Sequence, residues 1–146
     1  MNPSTDRIRV VFVCIGNACR SPMAEAVARH HASDVLDPSS AGLAPLGYIV
    51  DATADTLVAN GYSIEGLSSK RISRQDIDTA NLIVNLSGLP IDCLPDRAKV
   101  EEWPVEDPYG TDPATYQRIL EEIKSRVLTL AARIRSQPNF RTSNPA

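Results

Sequence analysis

Aromatic residues are scarce, at 5% of the chain, with one Trp, two Phe and four Tyr. No basic cluster interleaved with aromatics occurs, so the stacking platforms that hold single-stranded nucleic acid are not expected. The formal net charge of −3 adds no general attraction to nucleic acid or to an anionic membrane. No apolar run approaches the roughly 20 residues that span a bilayer. Residues Met1–Asp6 lack the basic and apolar regions of a secretory signal. Three cysteines, an odd number without such a signal, argue against a disulfide scaffold and for a reducing, cytoplasmic setting. Cys14, Cys19, Cys93, His30 and His31 show no zinc-ligand spacing, so no metal site is expected.

What is present is the material for one ordinary domain. The chain has 146 residues, 42% hydrophobic and 23% charged, enough for a single good core. Its most informative stretch is Val10–Pro22. The left half is an unbroken apolar run rich in β-branched residues, the pattern of a fully buried strand. The right half turns abruptly small and polar, and Ser21-Pro22 opens an Ala-rich helical stretch, where proline suits the first turn. Loop N–H groups and a helix N-terminus converging on one point bind negative charge. A cysteine placed there is favoured as a thiolate by the same field. Arg20, after five intervening residues, adds a donor fork suited to phosphate-like oxygens. Alone, Cys14 would read as an inert buried thiol. With Arg20 and the helix start, the loop reads as a nucleophile facing an oxyanion site.

Taken in order, strands are expected over 7–14, 36–42, 81–86 and 100–103. Helices are expected over 22–32, 51–60 and from Asp112 to Gln137. Met23, Val27 and one of His30 or His31 should face inward on the first helix, and Ala54, Leu57 and Val58 on the second. The histidines read as helix-surface groups rather than catalytic ones. Gly61 should stop the second helix. Ser73 can cap a short turn through Asp76 or Ile77. Residues 62–72 are irregular. Segment 89–97 connects two strands and holds Cys93. Asp112 is a cap with Pro113 at the first helical position. Tyr116, Ile119, Leu120, Ile123, Val127, Leu130, Ala131 and Ile134 recur at helical spacing and form a core stripe. Residues 1–6 and 139–146 are expected to be flexible tails. Alternating buried strands and helices imply one α/β domain, an open parallel sheet covered on both faces. Ligands of such sheets sit at the carboxyl ends of the strands, where Cys14 lies and which Asp107 can reach.

The run from Cys14 to Ala26 resembles the signature of low-molecular-weight protein tyrosine phosphatases, and arsenate reductases of the same fold share much of it. The resemblance spans about 9–134. It implies a doubly wound domain with a four-stranded parallel sheet. It also implies hydrolysis of phosphotyrosine or aryl phosphate monoesters through a phosphocysteine, without a metal or cofactor. Cys14 would be the nucleophile. Arg20 and the loop residues Ile15, Gly16, Asn17, Ala18 and Cys19 would hold the phosphoryl oxygens. Ser21 could donate to the departing sulfur, or simply cap the helix. Ser40, in Ser-Ala-Gly, would support the loop through Asn17; without the resemblance it reads as a loop hydroxyl bonding its own backbone. Asp107, in Asp-Pro-Tyr, would be the general acid; by itself, Asp before Pro is a common turn. Tyr48 and Tyr109 are candidate pocket walls. Cys19 and Cys93 are redox candidates, Cys19 having packing as its alternative.

Two departures from the family stand out: Leu67 occupies a position where histidine is frequent, and Asn85-Leu86-Ser87-Gly88 stands where Met-Asp is common. The partners implied are a phosphotyrosine protein or a small aryl phosphate, with no nucleic acid or membrane. The competing activity is arsenate reduction with a thiol or glutaredoxin partner. The thioredoxin-coupled reductases use a cysteine pair after the third strand, where this chain has Ser87 and only Cys93. A binding module without turnover is disfavoured by the intact set of Cys14, Arg20 and Asp107.

Overall fold

A computed structural model describes residues 7–90 and 99–137; Cys93 and the two expected tails lie outside these. In chain order the elements are β1 (Ile8–Cys14), α1 (Arg20–His31), β2 (Leu36–Gly42), α2 (Asp51–Ala59), α3 (Arg74–Thr79), β3 (Leu82–Asn85), β4 (Val100–Glu102) and α4 (Pro113–Ser136). The sheet runs β2-β1-β3-β4 with every neighbouring pair parallel. β1 is therefore central, and its end at Cys14 falls in the middle of the sheet's carboxyl rim.

Strand pleating sorts the β1 side chains by face. Ile8, Val10, Phe12 and Cys14 join the larger core with α1, α2 and α4, whereas Val11 and Val13 pack with Ala41, Ala80 and Ile83 on the other side. Both faces are covered, which explains why β1 reads as continuously apolar. All eight stripe residues of α4 are buried. A truncation such as Ile123→Ala there would cost about 2–5 kcal/mol. The Asp112 side chain accepts from the Thr115 N–H, with Pro113 beginning the helix. α3 opens with a reciprocal capping box between Ser73 and Asp76.

Three local expectations need correction. α1 begins at Arg20, not Pro22, with Cys19 in the cap position. Pro22 still falls in the first turn, where a missing N–H is harmless, so Ser21 lies inside the helix rather than capping it. Neither histidine belongs to the core stripe: His30 is exposed, and His31 is half-buried with Nε2 2.9 Å from the Tyr62 hydroxyl. On α2 the inward pair is Thr53 and Leu57, while Val58 is 57% exposed and Ala54 only partly covered. Thr53 and Leu57 share one face at i, i+4, and Val58 is turned about 100° from Leu57.

Candidate active site

The loop between β1 and α1 is pinned from outside by its own carbonyls. The N–H groups of Leu43, Ala44 and Leu46 donate to the carbonyls of Cys14, Ile15 and Gly16 at 3.1, 2.8 and 3.0 Å, and the Ser69 hydroxyl adds a second bond to Gly16 at 2.9 Å. In a planar trans peptide the next N–H points opposite to the carbonyl. Fixing these three carbonyls outward therefore turns the N–H groups of Ile15, Gly16 and Asn17 the other way. Gly42 makes the close packing of this loop feasible. A Cβ on it would sit 2.8 Å from the Ile15 carbonyl oxygen and 2.9 Å from the Asn17 Cβ.

Asn17 is the keystone of the turn. It is fully buried and adopts a left-handed conformation, with φ of 48°, a conformation that asparagine tolerates better than most residues. The Lys70 backbone N–H donates to its Oδ1 at 2.9 Å, which fixes the amide orientation. Its Nδ2 then donates to Ser21 Oγ at 2.8 Å and to Ser40 Oγ at 3.1 Å. Because Ser21 Oγ accepts from Asn17, its own proton is free for Cys14 Sγ at 3.0 Å, a closer acceptor than the Ala41 carbonyl at 3.5 Å.

Arg20 reaches across the sheet rim. One guanidinium nitrogen donates to the carbonyls of Leu86 at 2.6 Å and Val105 at 3.0 Å, in the segments that follow β3 and β4. Another nitrogen lies 3.6 Å from Asp107 Oδ2. Arg20 is buried and Asp107 half-exposed. The Asp107 carboxylate also accepts from the Tyr109 N–H at 3.1 Å, which shapes the turn at the rim.

A cavity of about 140 Å³ opens over this arrangement, lined by Cys14, Ile15, Gly16, Ala18, Cys19 and Arg20, with Ala44, Leu46, Asp107 and Tyr109 forming its walls. Drug-sized sites run from roughly 300 Å³ upward, so this one suits a small anion and the first atoms of an attached group. Among the expected site residues, Asn17, Ser21 and Ser40 stand behind the loop rather than in the cavity. Tyr109 is in the wall. Tyr48 is 58% exposed and outside the lining, where Leu46 and Ala44 stand instead. Cys19 points to the Tyr116 hydroxyl at 3.5 Å. Burial pushes its thiol upward, and the nearby charges of Asp107 and Cys14 act in the same direction. Among the described residues, no group of His, Cys, Asp and Glu could hold a metal ion, and no helix is long and apolar enough to cross a membrane.

Ala44, Leu46, Ser69, Lys70, Leu86 and Val105 were not legible as site residues. Five of them act through backbone groups, which leave no side-chain signature. Leu46 carries a signal of its own: it is an apolar residue two positions from Tyr48, a candidate pocket wall.

A parallel α/β sheet with a cysteine–arginine anion loop at the end of its central strand defines a phosphatase-like class of enzyme. The chain belongs to the low molecular weight phosphotyrosine protein phosphatase family, whose sequence model matches residues 9–139. An arsenate reductase of Staphylococcus aureus (strain Newman) is 32% identical over 127 residues, covering 85% of this chain and 96% of that protein. The YwlE arginine phosphatase from Geobacillus stearothermophilus superposes with a TM-score of 0.81 at 22% identity, covering 89% of this chain and 94% of its own, and supports the fold alone. The low molecular weight protein tyrosine phosphatase from T. tengcongensis superposes with a TM-score of 0.77 at 26% identity, covering 86% and 98%.

Proposed function

We infer that this chain is a cytoplasmic phosphatase hydrolysing phosphotyrosine or small aryl phosphate monoesters through a phosphocysteine. The observation that carries the reading is the position of Asp107, 3.6 Å from Arg20 on the wall of the cavity that Cys14 also lines. In the first step the Cys14 thiolate attacks phosphorus. The bond to the leaving oxygen breaks, and protonated Asp107 gives that oxygen its proton. Arg20 and the loop N–H groups hold the non-bridging oxygens as charge redistributes. In the second step Asp107 removes a proton from water, water attacks phosphorus, and the P–S bond breaks. Ser21 donates a hydrogen bond to the departing thiolate. Apart from the ester and the attacking water, these steps use side chains and backbone of this chain.

Arsenate reduction is the second reading. It is favoured by the relatives named arsenate reductase and by Cys19, a second thiol lining the same cavity as Cys14. The test is turnover of an aryl phosphate and of arsenate side by side, the latter with thiol and glutaredoxin reductants. Phosphatase turnover with arsenate left unreduced is the expected result. Arsenate reduction without ester hydrolysis would replace the first reading by the second.

A further inference from the structure

Behind the nucleophile loop a buried carboxylate continues the line of hydrogen bonds. Ser40 Oγ lies 2.6 Å from Glu25 Oε1, and Glu25 is 3% exposed. Its other oxygen, Oε2, forms an ion pair with Arg29 one turn later on α1. The Arg29 guanidinium is held from the far side as well: NH1 donates to the Glu65 carbonyl at 2.9 Å, and the group lies over Gly66. Arg29 is the partly exposed end of the line, and Cys14 is the other end.

The directions of these bonds follow from which groups can donate. An ionised carboxylate only accepts, so Ser40 must give its proton to Glu25. Ser40 Oγ is then left as an acceptor, which is what Asn17 Nδ2 requires. Asn17, its amide fixed by Lys70, spends its second N–H on Ser21, and the Ser21 proton is left for Cys14 Sγ. Without Arg29 the Glu25 carboxylate loses the partner that orients it on α1, and Ser40 Oγ is no longer fixed as the acceptor beside Asn17 Nδ2.

We propose that Arg29 is a positioning residue for the nucleophile: by holding the Glu25 carboxylate in place it keeps Ser40 Oγ where Asn17 Nδ2 meets it in the line Glu25–Ser40–Asn17–Ser21, and so keeps the Ser21 hydroxyl aimed at Cys14. The inference rests on Cys14 being the nucleophile, but not on which ester or oxyanion it attacks.

The test reads Cys14 directly, by its rate of alkylation with iodoacetamide at mildly acidic pH, with peptide mapping to separate the three cysteines. Arg29→Met should slow Cys14 alkylation roughly threefold to tenfold, because a hydrogen bond to a thiolate is weakened; Arg29→Lys should restore most of it. The decisive variant is Glu25→Gln with Arg29→Met. An amide oxygen accepts from Ser40 without needing a cation, so this double variant should recover most of the lost rate. It also removes the unpaired buried charge, and so can be read even where Arg29→Met alone folds poorly. Wild-type alkylation in Arg29→Met, or a double variant several-fold slower than wild type, would overturn the proposal. Aryl phosphate hydrolysis is measured on the same proteins. Its absence in wild type would count against the proposed reaction while leaving the alkylation result to judge Arg29.

Discussion

Cys14 Sγ and Ser21 Oγ lie 3.0 Å apart across the turn from β1 into α1. This contact joins the residue at the end of a strand to one in the first helical turn. It places an O–H donor against the atom that carries negative charge before attack and after release in the proposed reaction. Ser21→Ala is expected to slow thiolate departure more than thiolate attack, so that phosphoenzyme accumulates. Rapid-quench measurement should then show a larger burst of leaving group followed by slower turnover. Cys14→Ser should abolish turnover while the protein stays folded. Appreciable hydrolysis by Cys14→Ser would exclude a phosphocysteine route.

Asp107 is the second group whose role can be isolated. Its carboxylate faces Arg20 and is half-exposed, so protons can exchange with solvent. Asp107→Asn should slow esters of poor leaving groups on the order of 10²–10⁴-fold and good leaving groups far less. The measurement is kcat/KM across a series of aryl phosphates graded by phenol acidity. A uniform loss across that series would make Asp107 a structural turn residue.

How much of this was readable beforehand differs by residue. The strand at β1, the α4 stripe and the Asp112–Pro113 start are local patterns, and local patterns survive folding. The strand–loop–helix turn that brings Cys14 and Arg20 to one cavity was legible because its pattern lies in consecutive residues. Arg20's anchors were not: Leu86 and Val105 contribute carbonyls from 66 and 85 residues away, and any residue type could do so. Tyr48 is the only aromatic residue of segment 43–50, which marks it as a candidate wall, but direction along a loop is set by backbone bonds. Leu46, tied to Gly16, is the residue turned inward. Val58 failed for a related reason. Apolarity marked it for the core, whereas the helical phase set by Leu57 placed Thr53 inside.

His31 gives a pH dependence of stability that is separate from catalysis. Burial lowers its basicity below the ordinary histidine value, and the charges of His30 and Lys124 add to that. The folded state therefore binds this proton less readily than the unfolded chain does. The stability that comes from the neutral ring is fully present above about pH 6.5, the unfolded value, and is lost as pH falls below it. His31→Phe keeps a ring beside His30 and Tyr62 but removes the titration. Tm measured from pH 8 down to 5 should fall less steeply in the variant. Parallel curves for the two proteins would exclude His31 as the source.

Cys14 and Cys19 are both free and line the same cavity. A thiolate at an anion site is the cysteine that peroxide oxidises first. Peroxide takes two electrons from Cys14, giving sulfenic acid and water. The Cys19 sulfur can then attack the sulfenic sulfur, forming an S–S bond and releasing a second water. Burial pushes the Cys19 thiol upward, so it is less reactive toward peroxide than an ordinary thiol, and it gives up its proton as the S–S bond forms. After a brief peroxide treatment and thiol reduction, wild type should recover most of its activity. Cys19→Ser should recover much less, because its sulfenic acid proceeds to irreversible forms. Peptide mapping of oxidised wild type should show Cys14 joined to Cys19. Equal recovery in the two proteins would leave Cys19 as a packing residue, and a bridge from Cys14 to Cys93 in the map would transfer the trapping role there.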